Sequence, residues 1–263
     1  MGAAGEECKA GGDFLRLWRR EALRLLHDRL ISEEDKALVV EKMRELVDDA
    51  DDLSAEKILR DPILFGDYAN APDELGTTEE GGQKPKALRP YEDGKTDEDV
   101  KPLFERVLEL YNEEQKPMNL VFFEDALEHL TRIHRIIRLD QGNALLVGVG
   151  GSGKQSLSKL AAYTAGCGVF EIALTRGYDE QMFRDDLKTL YTRVGVRNEK
   201  VMFLFTDNHV ADEGFLELVN NMLTSGMVPA LYADDEKEGV CSGVRYECGA
   251  QGLGGTKGAC WRY

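Results

Sequence analysis

From Phe14 to Leu30 the apolar residues Phe14, Leu17, Trp18, Ala22, Leu25 and Leu26 recur at helical spacing, and Arg16, Arg19, Arg20, Arg24 and Arg29 fill most of the gaps. The pattern predicts an amphipathic basic helix that packs its apolar stripe on a neighbouring helix. An anionic membrane or a calmodulin-like groove could take the same stripe, but a second helix follows at once to supply the partner. Ser32 and Asp35 have capping-box spacing and would start that second helix, with Ala37, Val40, Met43, Leu46 and Val47 as its apolar face. From Asp48 to Val100 the periodicity gives way to Gly, Pro and acidic residues, 16 acidic against 6 basic. Such a stretch reads as a solvated connector crossing a surface, anchored by Ile63, Leu64, Phe65 and Tyr68.

Helical periodicity returns after Thr96, which with Asp99 again fits a capping box, and Leu103, Phe104, Val107, Leu108 and Tyr111 make the stripe before Pro117 ends it. A further helix is predicted over 124–138. Its His129 and His134 are five apart, without the i, i+4 geometry of a helical metal pair, and read as core or surface histidines. Then the period changes. Asn143 to Val149 is a short apolar run ending in glycines, and an apolar-periodic helix follows over 154–164, so the order is strand, glycine loop, helix. Further strands are predicted at 168–174 and 201–206, with helices over 180–194 and 212–224. Alternating strands and helices imply an α/β fold with a parallel sheet.

Charge and composition narrow the classes. The chain has 263 residues and a formal net charge of −16, which disfavours nucleic acid as a main ligand. The longest apolar runs, 144–149 and 201–205, are far shorter than the roughly 20 residues that cross a bilayer, and Met1 to Gly12 has no secretory pattern. Cys8, Cys167, Cys241, Cys248 and Cys260 form no CxxC pair and read as reduced thiols of an intracellular protein.

The candidate chemistry begins at Gly148. Gly148-Val149-Gly150-Gly151-Ser152-Gly153-Lys154 fits G-x-x-x-x-G-K, in which backbone N–H groups converge on phosphate oxygens and the following helix adds its positive N-terminus. Lys154 would reach the β- and γ-phosphates. The same stretch spells the dinucleotide fingerprint as Gly148, Gly150 and Gly153, with Glu171 placed 18 residues beyond Gly153. Three features favour the triphosphate. Lys154 has no role in the dinucleotide motif, the apolar strand 201–205 closes at Asp207 as a Walker B strand does, and Glu171 is expected mid-strand rather than at a strand end. Two residues depart from the usual pattern. Gln155 stands where a Ser or Thr hydroxyl would bind Mg²⁺, leaving its amide oxygen or Ser156 to serve. Asn208 follows Asp207 where hydrolysing AAA+ proteins carry Glu, and loss of a general base costs about 10²- to 10⁴-fold in rate. Binding should therefore outlast turnover.

Beyond these motifs, GNALLVGVGGSGKQSLSKLAAY, TRGYDEQMFRDDLKTLY, VMFLFTDNHVADEGFLELVNNMLTSGMVPALYADDE and the terminal VRYECGAQGL with CWRY resemble the fourth AAA+ module of axonemal dynein heavy chains. FLRLWRREALRLLHDRLISEED is similar to the end of the third module's helical lid, and PMNLVFFEDALEHLTRIHRIIR to the segment leading into the fourth. The resemblance covers nearly the whole chain, from about residue 13 onward. It implies a P-loop AAA+ large subdomain, an incomplete parallel sheet flanked by helices, preceded by a helical lid segment.

The boundaries expected are a disordered N-terminus over 1–12, lid helices over 13–50, an acidic connector over 51–96 and the nucleotide-binding module over 97–263. Further strands, a sensor residue, a lid and its arginine would follow Tyr263, so the chain reads as a fragment or a truncated gene product. The implied site is Gly148, Gly150, Gly151, Ser152, Gly153, Lys154, Gln155 and Ser156 on ATP or ADP, with Leu120 and Val121 near the adenine. Gln155, Ser156 and Asp207 would serve Mg²⁺, and Asp207 and Asn208 hold the catalytic positions. The implied partners are other AAA+ modules of the same heavy chain, and intermediate and light chains and microtubules through a dynein-type ATPase motor. The implied location is cytoplasmic and cytoskeletal, in the axoneme of a cilium. A stand-alone P-loop NTPase or kinase, or a ring module that no longer binds nucleotide, are the competing classes.

Overall fold

In the computed structural model, which describes residues 11–48, 55–75, 90–94, 96–139 and 141–250, the first helix buries the face its sequence marks as polar. Helix α1 (Gly11–Leu25) places Arg16, Arg19 and Arg20 inside beside Leu17 and Leu23, whereas Leu25 is 61% and Leu26 57% exposed. The expected apolar packing stripe is thus corrected. Its cause is not local: Arg16 donates from Nη1 to the carbonyls of Lys57 and Arg60, from Nη2 to that of Pro62, and from Nε to Asp93 Oδ2 at 2.6 Å. Arg19 reaches the Ile58 and Arg60 carbonyls and Asp61. Planar guanidinium forks suit converging carbonyls as no apolar side chain could. A single 3₁₀ turn at His27–Arg29 follows, so the helix itself stops short of Leu30. Helix α2 (Glu33–Asp48) buries Met43 and Val47 and leaves Leu46 exposed, a narrower face than its pattern promised.

The acidic connector is not a solvated crossing where the structure describes it. It forms α3 (Ala55–Leu59), β1 (Phe65–Gly66), α4 (Ala71–Glu74) and β2 (Glu92–Asp93), with β1 and β2 antiparallel and Phe65 opposite Asp93. Ile58, Leu64, Phe65, Tyr68, Ala71 and Tyr91 are buried. Among its described acids, Asp93 and Asp61 are met by Arg16 and Arg19 of α1, and Asp67 by Arg138, whose Nε lies 2.6 Å from Asp67 Oδ2. The expected disordered N-terminus falls outside the described residues up to residue 10, and Gly11 and Gly12 already belong to α1.

Helices α5 (Asp97–Glu114), α6 (Glu124–Arg138) and α7 (Lys154–Thr164) carry the larger core, in which Val100, Phe104, Leu127, Leu130, Leu160 and Ala161 are buried. Thr96 caps α5 as its spacing predicts: its Oγ1 accepts from the Asp99 N–H at 3.2 Å and donates to Asp99 Oδ2 at 2.7 Å. His134 is a core residue, with Nε2 3.2 Å from Asp67 Oδ1.

The chain divides into two compact units, Met1–Ala165 and Gly166–Tyr263. In the second, β3 (Gly168–Glu171) and β4 (Val201–Leu204) pair in parallel, Gly168 opposite Val201 and Glu171 opposite Leu204, joined through α8 (Glu180–Gly195). Helices α9 (Glu213–Ser225) and α10 (Asp234–Ala250) follow. Asp179 caps α8 and Asp212 caps α9, each accepting from a backbone N–H. Phe183 and Phe215 stack at 4.6 Å between ring centroids in a core with Leu187, Leu190 and Leu218.

The strand predicted at 143–149 is the main departure. The segment has no regular secondary structure and belongs to no sheet, and Leu145 is 90% and Val147 87% exposed. A continuous apolar run is the signature of a strand buried on both faces of a parallel sheet, but a strand exists only as a ladder with a partner. Among the described residues the only parallel pair is β3 with β4.

Candidate functional site

The glycine loop owes its shape to two residues. Gly151 and Gly153 have φ of +76° and +78°, the left-handed region that side chains disfavour. Gly148 and Gly150 do not share that demand. A Cβ on Gly148 would instead stand 3.7 Å from Lys154 Nζ and 3.5 Å from Ser152 Oγ, inside the curl of the loop. The curl is closed by the Ser152 N–H donating to the Val149 carbonyl at 3.4 Å. Gly153 then caps α7, accepting from the Leu157 N–H at 2.8 Å.

Into this curl folds Lys154. Its ammonium donates to the carbonyls of Gly148 and Val149, both at 2.7 Å, and to Ser152 Oγ at 3.2 Å. Residues of α7 itself fix the platform beneath it. Leu157, Leu160 and Ala161 bury the inner face of α7, and the hydroxyls of Ser158 and Thr164, also buried, are satisfied by the carbonyls of Lys154 and Leu160. The arrangement concentrates one positive charge and the N-terminal amides of an eleven-residue helix in one place, while the Gly148 and Val149 carbonyls hold the ammonium. A helix N-terminus beside an ammonium is chemistry that suits an anion. Gln155 and Ser156, on the first turn of α7, are exposed and half-buried respectively. Their amide and hydroxyl oxygens are hard donors of the kind Mg²⁺ accepts.

Leu120 and Val121 lie on the segment between α5 and α6. A Cβ on Gly153 would meet Leu120 Cδ2 at 3.8 Å, so Leu120 borders the end of the loop, while Val121 is 80% exposed. Phe122 faces the core instead. This segment is pinned by a pair of bonds that periodicity does not signal: Asn112 Nδ2 donates to the Met118 carbonyl at 3.1 Å and the Met118 N–H donates to Asn112 Oδ1 at 2.9 Å.

Asp207 and Asn208 belong to the second unit. They occupy the first two positions of a 3₁₀ turn, Asp207–His209, which starts three residues beyond the end of β4, and both are exposed. The turn is closed from both sides by Thr206 and His209. The His209 N–H donates to the Thr206 carbonyl at 2.8 Å and also reaches its hydroxyl, and the Thr206 N–H donates to His209 Nδ1 at 3.1 Å. His209 escaped the sequence reading because the capping-box pattern asks for an acidic or amide side chain three residues after the Thr. The spacing T-x-x-H was the available signal. Glu171 corrects an expectation, since it is the last residue of β3 and exposed rather than mid-strand. The case against a dinucleotide then rests on Lys154 in the loop and on Asp207 after β4.

A family model described as P-loop containing dynein motor region D4 matches residues 118–263. The chain is 60% identical over 260 residues to the Dynein-1-alpha heavy chain, flagellar inner arm I1 complex, of Chlamydomonas reinhardtii, covering 98% of this chain and 6% of that protein. It is 54% identical over 258 residues to Dynein axonemal heavy chain 10 of Homo sapiens, covering 98% and 6%. Against Dynein axonemal heavy chain 11 of Sus scrofa it is 39% identical over 262 residues, covering 99% and 6%. The chain spans about 6% of the length of these curated relatives.

Proposed function

This chain belongs to the dynein heavy chains, its residues 118–263 matching the P-loop motor region D4, and on that premise we propose that it is a nucleotide-binding part of an axonemal dynein that holds ATP or ADP and turns it over slowly or not at all. The observation that carries the reading is the Lys154 ammonium folded into a loop whose left-handed glycines lead directly into a helix N-terminus. The amides of that loop and of the first turn of α7 would hold phosphate oxygens, and Lys154 would exchange its two loop carbonyls for them. Leu120 and Val121 would offer apolar surface to the base. Mg²⁺, when bound, would offset charge on the terminal phosphates, with Gln155 or Ser156 as the donors beside the loop; the Walker B pattern gives Asp207 a role toward it through water. Asn208 cannot accept a proton from water, so residence is favoured over hydrolysis.

The coarser role follows from the relatives, whose names place them in flagellar, ciliary and axonemal dyneins. The chain would then serve a microtubule-based motor of the ciliary axoneme, beside the other AAA+ modules of its own heavy chain and with intermediate and light chains as further subunits. Residues 13–50 would be the end of a preceding lid, 51–96 the link and 97–263 the module that begins the D4 region. No helix among the described residues is long and apolar enough to cross a membrane.

Two variants test the site. Titration of a fluorescent ATP analogue into the 263-residue chain should show saturable binding that Lys154→Ala weakens by at least about tenfold, a loss of roughly 1.4 kcal/mol. Equal affinity would refute nucleotide binding at this loop. For turnover, Asn208→Glu restores a proton acceptor and should raise the phosphate release rate of a heavy chain carrying it by about 10²-fold, the lower range of general-base contributions. An unchanged rate would mean that the missing base does not limit hydrolysis.

A further inference from the structure

The segment that borders the glycine loop is held by a side chain of the helix before it. We propose that Asn112 is a positioning residue for the base of the bound nucleotide, pinning residues 118–121 as a wall beside the loop before any nucleotide arrives; the inference rests on the nucleotide-binding reading above. Residues 117–123 have no regular secondary structure, so their backbone groups need partners from elsewhere. At Met118 one side chain supplies both. Asn112 Nδ2 donates to the Met118 carbonyl at 3.1 Å, and the Met118 N–H donates to Asn112 Oδ1 at 2.9 Å. A carboxamide can do this because its donor and acceptor lie side by side in one plane. Further along, Phe122 is buried, its ring centroid 6.3 Å from that of Phe104 on α5. The strap is thus fixed at both ends. Between these anchors Leu120 borders Gly153 at the end of the loop, and Val121 is exposed.

The root of the clamp is tied to the helix that carries Lys154. Tyr111, next to Asn112, sets its ring edge-on to that of Tyr163 on α7, with centroids 5.3 Å apart, and Tyr163 Oη donates to Glu114 Oε2 at 2.9 Å. One helix therefore supports the phosphate loop at its N-terminus and the strap through the end of α5, all within the first compact unit. A wall already in place need not be ordered by the ligand. Without the clamp, apparent affinity falls by the fraction of chains in which the strap still stands. Phosphates held by the loop amides and Lys154 have no share in that loss.

That difference supplies the test. A ribose-labelled fluorescent ATP analogue is displaced from the 263-residue chain by unlabelled ATP and by inorganic tripolyphosphate. The proteins are wild type, Asn112→Ala, Leu120→Ala, the double variant and Lys154→Ala, with thermal melts of each. Asn112→Ala should weaken ATP by about tenfold and leave tripolyphosphate as in wild type. Because Asn112 acts through the strap, its loss and that of Leu120 should fall well short of adding in the double variant. Wild-type ATP affinity in Asn112→Ala, an equal loss of ATP and tripolyphosphate, or fully additive losses would each overturn the positioning role. If Lys154→Ala binds ATP as wild type does, the nucleotide reading itself fails. Should Asn112→Ala not fold, hydrogen exchange of the nucleotide-free wild-type chain still decides. A protected Met118 amide supports the clamp, and one that exchanges at the unprotected rate overturns it.

Discussion

Arg16 is fully buried and yet makes four polar contacts, three of them to backbone carbonyls of the segment 57–62. A buried guanidinium is costly unless its donors are filled and a counter-charge is near. Here Asp93 supplies the charge, and the carbonyls around the end of α3 supply the remaining acceptors. Removing the side chain would strand those carbonyls and leave Asp93 without its nearest cation, although Arg60 Nη2 stands 3.5 Å away and retains some compensation. Arg16→Met, which keeps the aliphatic stem and deletes the fork, should therefore cost about 3–5 kcal/mol of unfolding free energy. Urea unfolding followed by the fluorescence of Trp18, on the same helix, is the measurement. A loss under about 0.5 kcal/mol, the usual size of a surface effect, would show that the fork contributes nothing net. The same reasoning explains why Arg20 has its pKa lowered by burial despite Tyr91 and Glu21 beside it.

Between elements, the contact most exposed to solution conditions joins α1 to α6. Glu21 takes a two-pronged bond from Arg135, with Nε donating to Oε1 at 2.8 Å and Nη2 to Oε2. Partial burial pushes the Glu21 carboxyl up, but the hydrogen bond and charge of Arg135, joined by Arg20, outweigh it and hold the group below its ordinary value of 4.5. A carboxyl depressed in the folded state binds fewer protons there than in the unfolded chain. Its stabilisation is complete above the ordinary value and fades as pH falls through the lower, folded one. In urea titrations over that acid range, wild type should lose stability more steeply than Glu21→Gln, and the two curves should converge at the acid end. Parallel curves would remove Glu21 from the acid response.

These elements also show what a sequence can disclose. The ends of α5, α6 and α7 were legible because Thr96, an apolar period and a left-handed glycine act within one or two turns of chain. The buried face of α1 was not, because its arginines are drawn inward by carbonyls some 40 residues away. The glycine loop and Lys154 could be read directly, whereas the Asn112 clamp under Leu120 and the turn that His209 closes beside Asp207 follow no common spacing rule.

At the scale of the whole chain two properties oppose each other. The net charge is −16, which keeps copies apart at low ionic strength. Against it stands the segment 142–149, where Leu145, Val147 and Val149 are largely exposed, with Val121 and Phe123 exposed on another stretch of the same unit. An apolar segment outside any ladder offers both backbone donors and side chains to a second copy. Salt should decide between them. The screening length falls from about 30 Å at 0.01 M to about 8 Å at 0.15 M, so light scattering of the 263-residue chain should rise with added NaCl as repulsion fades and the apolar segment remains. Val147→Lys separates the two effects, because it reduces the negative charge while placing a gatekeeping cation on the strand. If repulsion alone governed association, the variant would scatter more than wild type at low salt. If the segment is the contact, it should scatter less at high salt and bind less of an apolar-surface dye. Equal scattering of the two proteins across the salt range would place the contact elsewhere.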